Sequence, residues 1–295
     1  MSRFLGIDHP LVVVRDIEAA RERCAKIGFS MTPVTLHPWG TSTSVAVFDK
    51  CLLEIMGIAD ETLIDAKPAG DFRFGRTVRD HLAEREGISL TALYSEDAEA
   101  DAAAVMARGI MSQGRIEFGR DITLPDGSPD RTATTLRILA DPDLPRLSNF
   151  ICQQHRPDLI YVPRWMQHAN TAAGICQVTI LAQPSDQPRV RQRLARLYGD
   201  DAVQDDADGF NVQTGNGRFV VGDRSAVEAL YGSLPADLVR ETQPCCVSIH
   251  FRVGSLETAR RHIAAGGAIP RTQTARRVVM PPEFLGNTFL VFEQL

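Results

Sequence analysis

A strand–turn–helix frame that repeats at fixed length constrains this chain more than any other feature. Residues 7–29 read IDHPLVVVRDIEAARERCAKIGF. Val12, Val13 and Val14 form a β-branched run suited to a pleated surface buried on at least one side. Asp16 follows where a helix N-cap belongs, with Glu18 and Glu22 near the positive end of the helix dipole. Ile17, Ala20, Cys24 and Ile27 make an apolar stripe at helical period, and Gly28 suits the left-handed residue that closes a helix. Gly28 stands fourteen positions after Val14, and Gly109 and Gly267 stand at the same distance after Ser95 and Val253, each behind a strand-like run. Residues 174–199 hold another copy, with a longer turn that contains Pro184 and Pro188. Four such units in one chain predict a repeat architecture.

Short strands follow each helix. After the first come residues 30–40 and 41–49, joined around a Pro-Trp-Gly turn, and then CLLEIMGI at 51–58, with the single charge of Glu54 among apolar neighbours. The unit therefore reads strand, helix, three strands. Residues 60–87 contain FRFGR and a predicted helix, TVRDHLAEREG, ending at Gly87. The second unit continues with GRIEFGRDI, RTATTLRILA and SNFICQQ. Residues 156–172 lose the period and read as an ordered connector, too aromatic for a flexible linker. Successive strands favour hairpins, so the expected class is α+β, with helices packed on one side of curved mixed sheets.

Length and charge exclude several roles. At 295 residues the chain is expected to form about two domains. A net charge of −5 argues against a general nucleic-acid binder. No apolar run reaches the roughly 20 residues that cross a bilayer, and the N-terminus lacks the pattern of a secretory signal. The six cysteines form no CxxC pair and sit mostly in apolar patterns, as expected of reduced thiols in a cytoplasmic protein.

With LLEIMGI closing the first unit, these residues resemble the βαβββ module of the vicinal oxygen chelate superfamily, which includes glyoxalase I, extradiol dioxygenases and bleomycin-resistance proteins. The finer pattern is similar to its glyoxalase-like domain proteins, through HPWGT at 37–41, FRFGR at 72–76, FICQQHRP at 150–157 and HANTA at 168–172. The resemblance implies four βαβββ modules paired into two cup-shaped mixed-sheet domains, 1–160 and 168–295. It also implies a divalent metal (Fe, Mn, Zn or Ni) on a concave face, chelating adjacent oxygens of a small substrate. Family ligands come from the first and fourth strands of each module, and His9 and Glu54 match both positions in the first. The second module offers Leu90 where His9 would fall, and the fourth has Glu293 with Ser248, His250 standing two residues later.

The candidate metal set is therefore His9, Glu54 and, just beyond FICQQ, His155. A carboxylate in an apolar strand is costly to bury unless it is paired or ligates a cation, so a structural His9–Glu54 ion pair stands beside the metal reading. His37 and Trp39 are candidates to line the cup mouth, and Arg73 and Arg76 to bind a carboxylate through their planar forks. Each has a plain alternative in core packing, a loop or a solvated helix entry. Two functions follow: a metal-dependent dioxygenase, lyase or isomerase on a vicinal-oxygen substrate, or a metal-free small-molecule binder of the bleomycin-resistance kind. The expected partner is a small molecule, with no nucleic acid and no membrane; a homodimer is left open.

Overall fold

The structure is a computed structural model that describes residues 5–294. Two eight-stranded mixed sheets hold most of the strands. In the first the order is β2 (Thr35–Leu36), β3 (Thr41–Phe48), β4 (Cys51–Ile58), β1 (Gly6–Val13), β5 (Gly87–Tyr94), β10 (Asn149–Gln154), β9 (Thr134–Leu139) and β6 (Gly114–Phe118). In the second it is β12 (Val203–Asp206), β13 (Gly209–Gln213), β14 (Arg218–Gly222), β11 (Ala172–Leu181), β15 (Cys245–Val253), β18 (Phe289–Glu293), β17 (Arg277–Val279) and β16 (Thr272–Gln273). Strands β7 (Asp121–Thr123) and β8 (Pro129–Arg131) form a separate ribbon. Both large sheets have an antiparallel central pair, β1/β5 and β11/β15, flanked by parallel partners. This is the α+β class with two curled sheets that the repeat implies.

The repeated caps are visible as geometry. Asp16, Asp97 and Ser255 each accept from the backbone three residues on, at the start of α1 (Ile17–Lys26), α3 (Ala98–Ala107) and α7 (Leu256–Ala265). In the degenerate copy, α4 (Gln187–Tyr198) has no side-chain cap and carries Pro188 in its first turn.

The helices do not all lie on one side. Ile7 and Val12 of β1, with Val14 just beyond it, pack with Ala20 and Cys24 of α1 and its C-cap Ile27, in a large cluster that continues into Ile175, Val178 and Phe251 of the second sheet. The opposite face, Leu11 and Val13, packs with Phe74 and Val78 of α2 (Phe74–Glu84). The sequence placed that helix at 77–87; it begins three residues earlier, and Gly87 opens β5 instead. The shift lets Phe74 enter the concave face. A Cβ on Gly75 would fall 2.3 Å from the Trp39 carbonyl oxygen, so the close approach of α2 to the sheet requires glycine there. In the second half Tyr231 of α5 (Arg224–Tyr231) occupies the matching face beside Phe289.

Arg193 of α4 joins the halves. It donates to Leu139 O at 2.9 Å, Leu147 O at 3.0 Å, Asn149 Oδ1 at 3.0 Å and Asp141 Oδ2 at 2.6 Å, all in the first half. All six cysteines are buried and free. Among the described residues no helix is long and apolar enough to cross a membrane.

Candidate functional site

The concave face of the first sheet carries a polar line on an apolar floor. Period-two alternation puts His9 with Leu11 and Val13, and Glu54 with Leu52 and Met56. Parallel pairing aligns Leu11 with Glu54 and brings the two side chains together, His9 Nε2 lying 2.9 Å from Glu54 Oε2. A register shift between Ile7 and His9 breaks the alternation locally. It allows two consecutive residues to meet, His9 Nδ1 standing 2.8 Å from Asp8 Oδ1. Thr43 on β3 donates to the other oxygen of Glu54 at 2.6 Å. The imidazole is therefore held at both nitrogens by buried carboxylates.

Electrostatics follow from that clamp. Burial alone would lower the His9 pKa, but the Asp8 and Glu54 carboxylates together push it up to about 10. Burial alone would raise Glu54, and the His9 imidazolium brings it down to about 2. Both shifts run in the direction that favours the charged pair, an imidazolium beside a carboxylate.

Above the pair lies a cavity of about 40 Å³, walled by His37, Trp39, Phe118, Arg120, Phe150 and Cys152 among others. The HPWG turn presents His37 and Trp39. Gly40 closes it at φ +78, where a Cβ would meet Asp60 O at 2.1 Å. His37 stacks on Trp39 at 4.8 Å and its Nδ1 lies 3.0 Å from Thr41 Oγ1. Burial, then the Arg120 charge, hold His37 neutral, with its pKa down to about 3. Phe118 meets Trp39 edge-on at 4.9 Å, and Arg120 reaches Thr35 Oγ1 at 3.2 Å. These contacts cross the mouth, because β2 and β6 are the two ends of the sheet. Curling has brought those ends together.

Three expected site residues lie elsewhere. His155 is exposed, and its Nε2 contacts Thr135 Oγ1 at 2.8 Å. Thr134 and Gln154 are the hairpin residues that face the cavity, so their neighbours Thr135 and His155 point to the other side of the sheet. Arg73 bonds its own loop at Gly70 O and Phe72 O, and Arg76 makes a two-pronged surface contact with Asp65. Neither lines the cavity. His168 and Asn170 fasten the connector to Val47 O, Ser30 N and Ile27 O.

Asp8, Thr43 and Arg120 escaped sequence reasoning. The Asp-His dipeptide was a usable signal for the first, but the bulge that turns both inward has no simple pattern. Arg120 sits between β6 and β7, outside any period.

The donor set meets part of what a divalent ion needs. Imidazole nitrogen plus carboxylate oxygen suits zinc, iron(II), manganese or nickel. An acidic group on the far nitrogen is the outer hydrogen bond that commonly fixes a metal-bound histidine. Among the described residues no group of three His, Cys, Asp or Glu side chains is disposed to hold a metal ion. The cup thus fits a two-residue anchor, and not a three-residue facial set. In the second cup His250 Nε2 lies 2.7 Å from the Tyr231 hydroxyl and its Nδ1 a long 3.4 Å from Glu293 Oε1. Tyr231 also contacts Thr179 at 2.6 Å and Ser248 at 3.2 Å, and it fills that face.

The family model described as "Glyoxalase-like domain" matches residues 7–198. No curated protein matches the sequence. A hypothetical protein from Staphylococcus aureus is similar in structure over 99% of this chain and 100% of its own, with TM-score 0.67 and 12% identity. A mutant 4-hydroxymandelate synthase from Streptomyces coelicolor aligns over 99% of this chain and 93% of its own, at TM-score 0.58 and 11% identity. A xylose isomerase-like TIM barrel/4-hydroxyphenylpyruvate dioxygenase fusion protein aligns over 99% of this chain and 49% of its own, at TM-score 0.58 and 12% identity. At such identities the likeness carries the fold alone.

Proposed function

The chain belongs to the glyoxalase-like domain family, and from that premise we propose that its N-terminal cup is the active site of a metal-dependent enzyme acting on a small vicinal-oxygen molecule. The observation that carries the reading is the Asp8–His9–Glu54 line beneath a cavity walled by aromatic rings. Small-molecule sites usually take this form, an apolar pocket with few placed polar groups. A divalent metal held by His9 Nε2 and Glu54 would supply Lewis acidity to two adjacent substrate oxygens.

The chain's own residues have separate tasks. Asp8 accepts the Nδ1 proton of His9 and so leaves Nε2 as the ring's ligating atom. Thr43 fixes one Glu54 oxygen and frees the other to face the histidine. Ligation requires His9 to give up its Nε2 proton, so metal affinity should rise with pH. Trp39, Phe74, Phe118 and Phe150 exclude water around the pair. One fold supports many chemistries, and dioxygenases and lyases both occur in the superfamily.

One observation favours a second reading. His9 and Glu54 already satisfy each other at 2.9 Å, and among the described residues no group of three His, Cys, Asp or Glu side chains is disposed to hold a metal ion. A metal-free binding cup would need nothing more. Elemental analysis of protein purified without chelators or a metal-affinity tag separates the two. The enzyme reading expects close to one equivalent of Fe, Mn, Zn or Ni, lost in His9→Ala with the fold retained. Metal-free wild type that still binds small molecules would replace it with the binder reading. Unchanged occupancy in His9→Ala would refute the site.

A further inference from the structure

The rim of the cup carries a cation that this chemistry does not use. Arg120 lines the cavity next to Phe118, and its Nε is enclosed without a hydrogen-bond partner. Its side-chain bond goes to a neutral hydroxyl, Thr35 Oγ1, at 3.2 Å. The carboxylate whose charge it feels most, Glu54, has both oxygens engaged, one by His9 and one by Thr43. A guanidinium drawn out of water is normally compensated by an anion held through its planar fork. Among the described residues no carboxylate takes the Arg120 fork, and the unsatisfied nitrogen sits at the entrance to a pocket.

We infer that Arg120 is the anion-recognition residue of this cup, and that the molecule bound there is a small, largely apolar carboxylic acid. This rests on the reading of the cup as a small-molecule site and names the substrate class. The acid's carboxylate takes the Arg120 fork at the rim, and its body packs among Trp39, Phe118 and Phe150. Neighbouring His37 is held neutral and so does not compete for the anion.

A cavity of about 40 Å³ holds little more than water, so the acid must part the mouth. What closes the mouth is weak. The end strands β2 and β6 make no backbone pairing with each other, and side chains cross the gap: the Arg120–Thr35 bond, and the Phe118 edge against His37 and Trp39. A carboxylate offers Arg120 a charge-assisted bond in place of a neutral one, so binding and opening favour each other.

The test is titration calorimetry, with tryptophan fluorescence in a Trp165→Phe background, where Trp39 is the reporter, as a second readout. The probes are benzoate, cyclohexanecarboxylate and butyrate, each beside its primary amide. Wild type is expected to prefer at least one acid over its amide by tenfold or more. Arg120→Gln should abolish the preference while amide binding stays, and Arg120→Lys should keep part of it. Thr35→Ala should keep or improve acid binding, because it removes only the latch. Equal binding of acids and amides, or a preference that survives Arg120→Gln, overturns the role of Arg120 and leaves the cup standing as a site. If neither acid nor amide binds and the fluorescence does not move, the cup reading falls and the inference falls with it.

Discussion

Replacing Glu54 by glutamine tests the centre of the cup most directly. The exchange keeps shape and volume and removes one charge. Thr43 can still donate to the amide oxygen, and the amide N–H faces His9 Nε2. A neutral His9, with its Nδ1 proton on Asp8, can accept that N–H, so no buried group need lose its partner. What is lost is the difference between a charge-assisted bond and a neutral one, about 1–2 kcal/mol. Linkage gives the same scale, since each unit by which the His9 pKa falls costs about 1.4 kcal/mol. The sign is fixed by the direction of the shift. His9 is raised from 6.5 to about 10, so its contribution is complete below pH 6.5 and is lost as pH rises through 10. Asp8, the stronger of the two raising influences, stays in Glu54→Gln and keeps His9 above its ordinary value. In chelator-treated protein, the His9 Cε1 proton should titrate at least one unit lower by NMR in the variant. Urea unfolding should show the deficit at pH 7 and a smaller one above pH 10. An unchanged His9 titration, or a deficit that does not depend on pH, would refute the clamp.

Two further outcomes concern stability. Arg193→Met keeps the apolar stem but strands two carbonyls and an amide oxygen among buried groups, with the partly exposed Asp141 free to rehydrate. At about 1–3 kcal/mol for each orphaned acceptor, less the relief of the buried charge, the loss should be about 3–5 kcal/mol in urea unfolding; a loss under about 1 kcal/mol would mean that the halves are not joined there. On the acid side, His37 is lowered to about 3 and His81 lies well below its usual value, in both cases because burial disfavours the cation. Their contribution is complete above pH 6.5 and is lost as pH falls toward the folded values, so the unfolding midpoint should drop steadily from pH 6.5 to pH 4, and a flat profile across that window would contradict the burial of these rings.

The parts legible in the sequence are those that depend on near neighbours along the chain. The frame from strand to cap to glycine is local, so Asp16, Asp97 and Ser255 cap their helices, and Gly28, Gly109 and Gly267 all take positive φ. Alternation is equally local, so it grouped His9 with Leu11 and Val13, and Glu54 with Leu52 and Met56, before any pairing was known; that the two groups share a face is decided by the parallel β1–β4 pairing. Other features required the assembled sheet. An amphipathic pattern says that a helix buries one side, but not against which face, and α2 lies inside the cup, against the expectation of all helices on one side of the sheets. His155 was one residue out of phase with Gln154, and only the β9–β10 pairing decides which of them looks inward. The meeting of Asp8 with His9 depends on a bulge set by the β5 partner, and Arg120 reaches the site only because the curled sheet brings its two ends together. Local dihedral and burial preferences are written residue by residue, whereas strand register and sheet curvature are settled by many distant contacts at once, and the candidate site is built at their intersection.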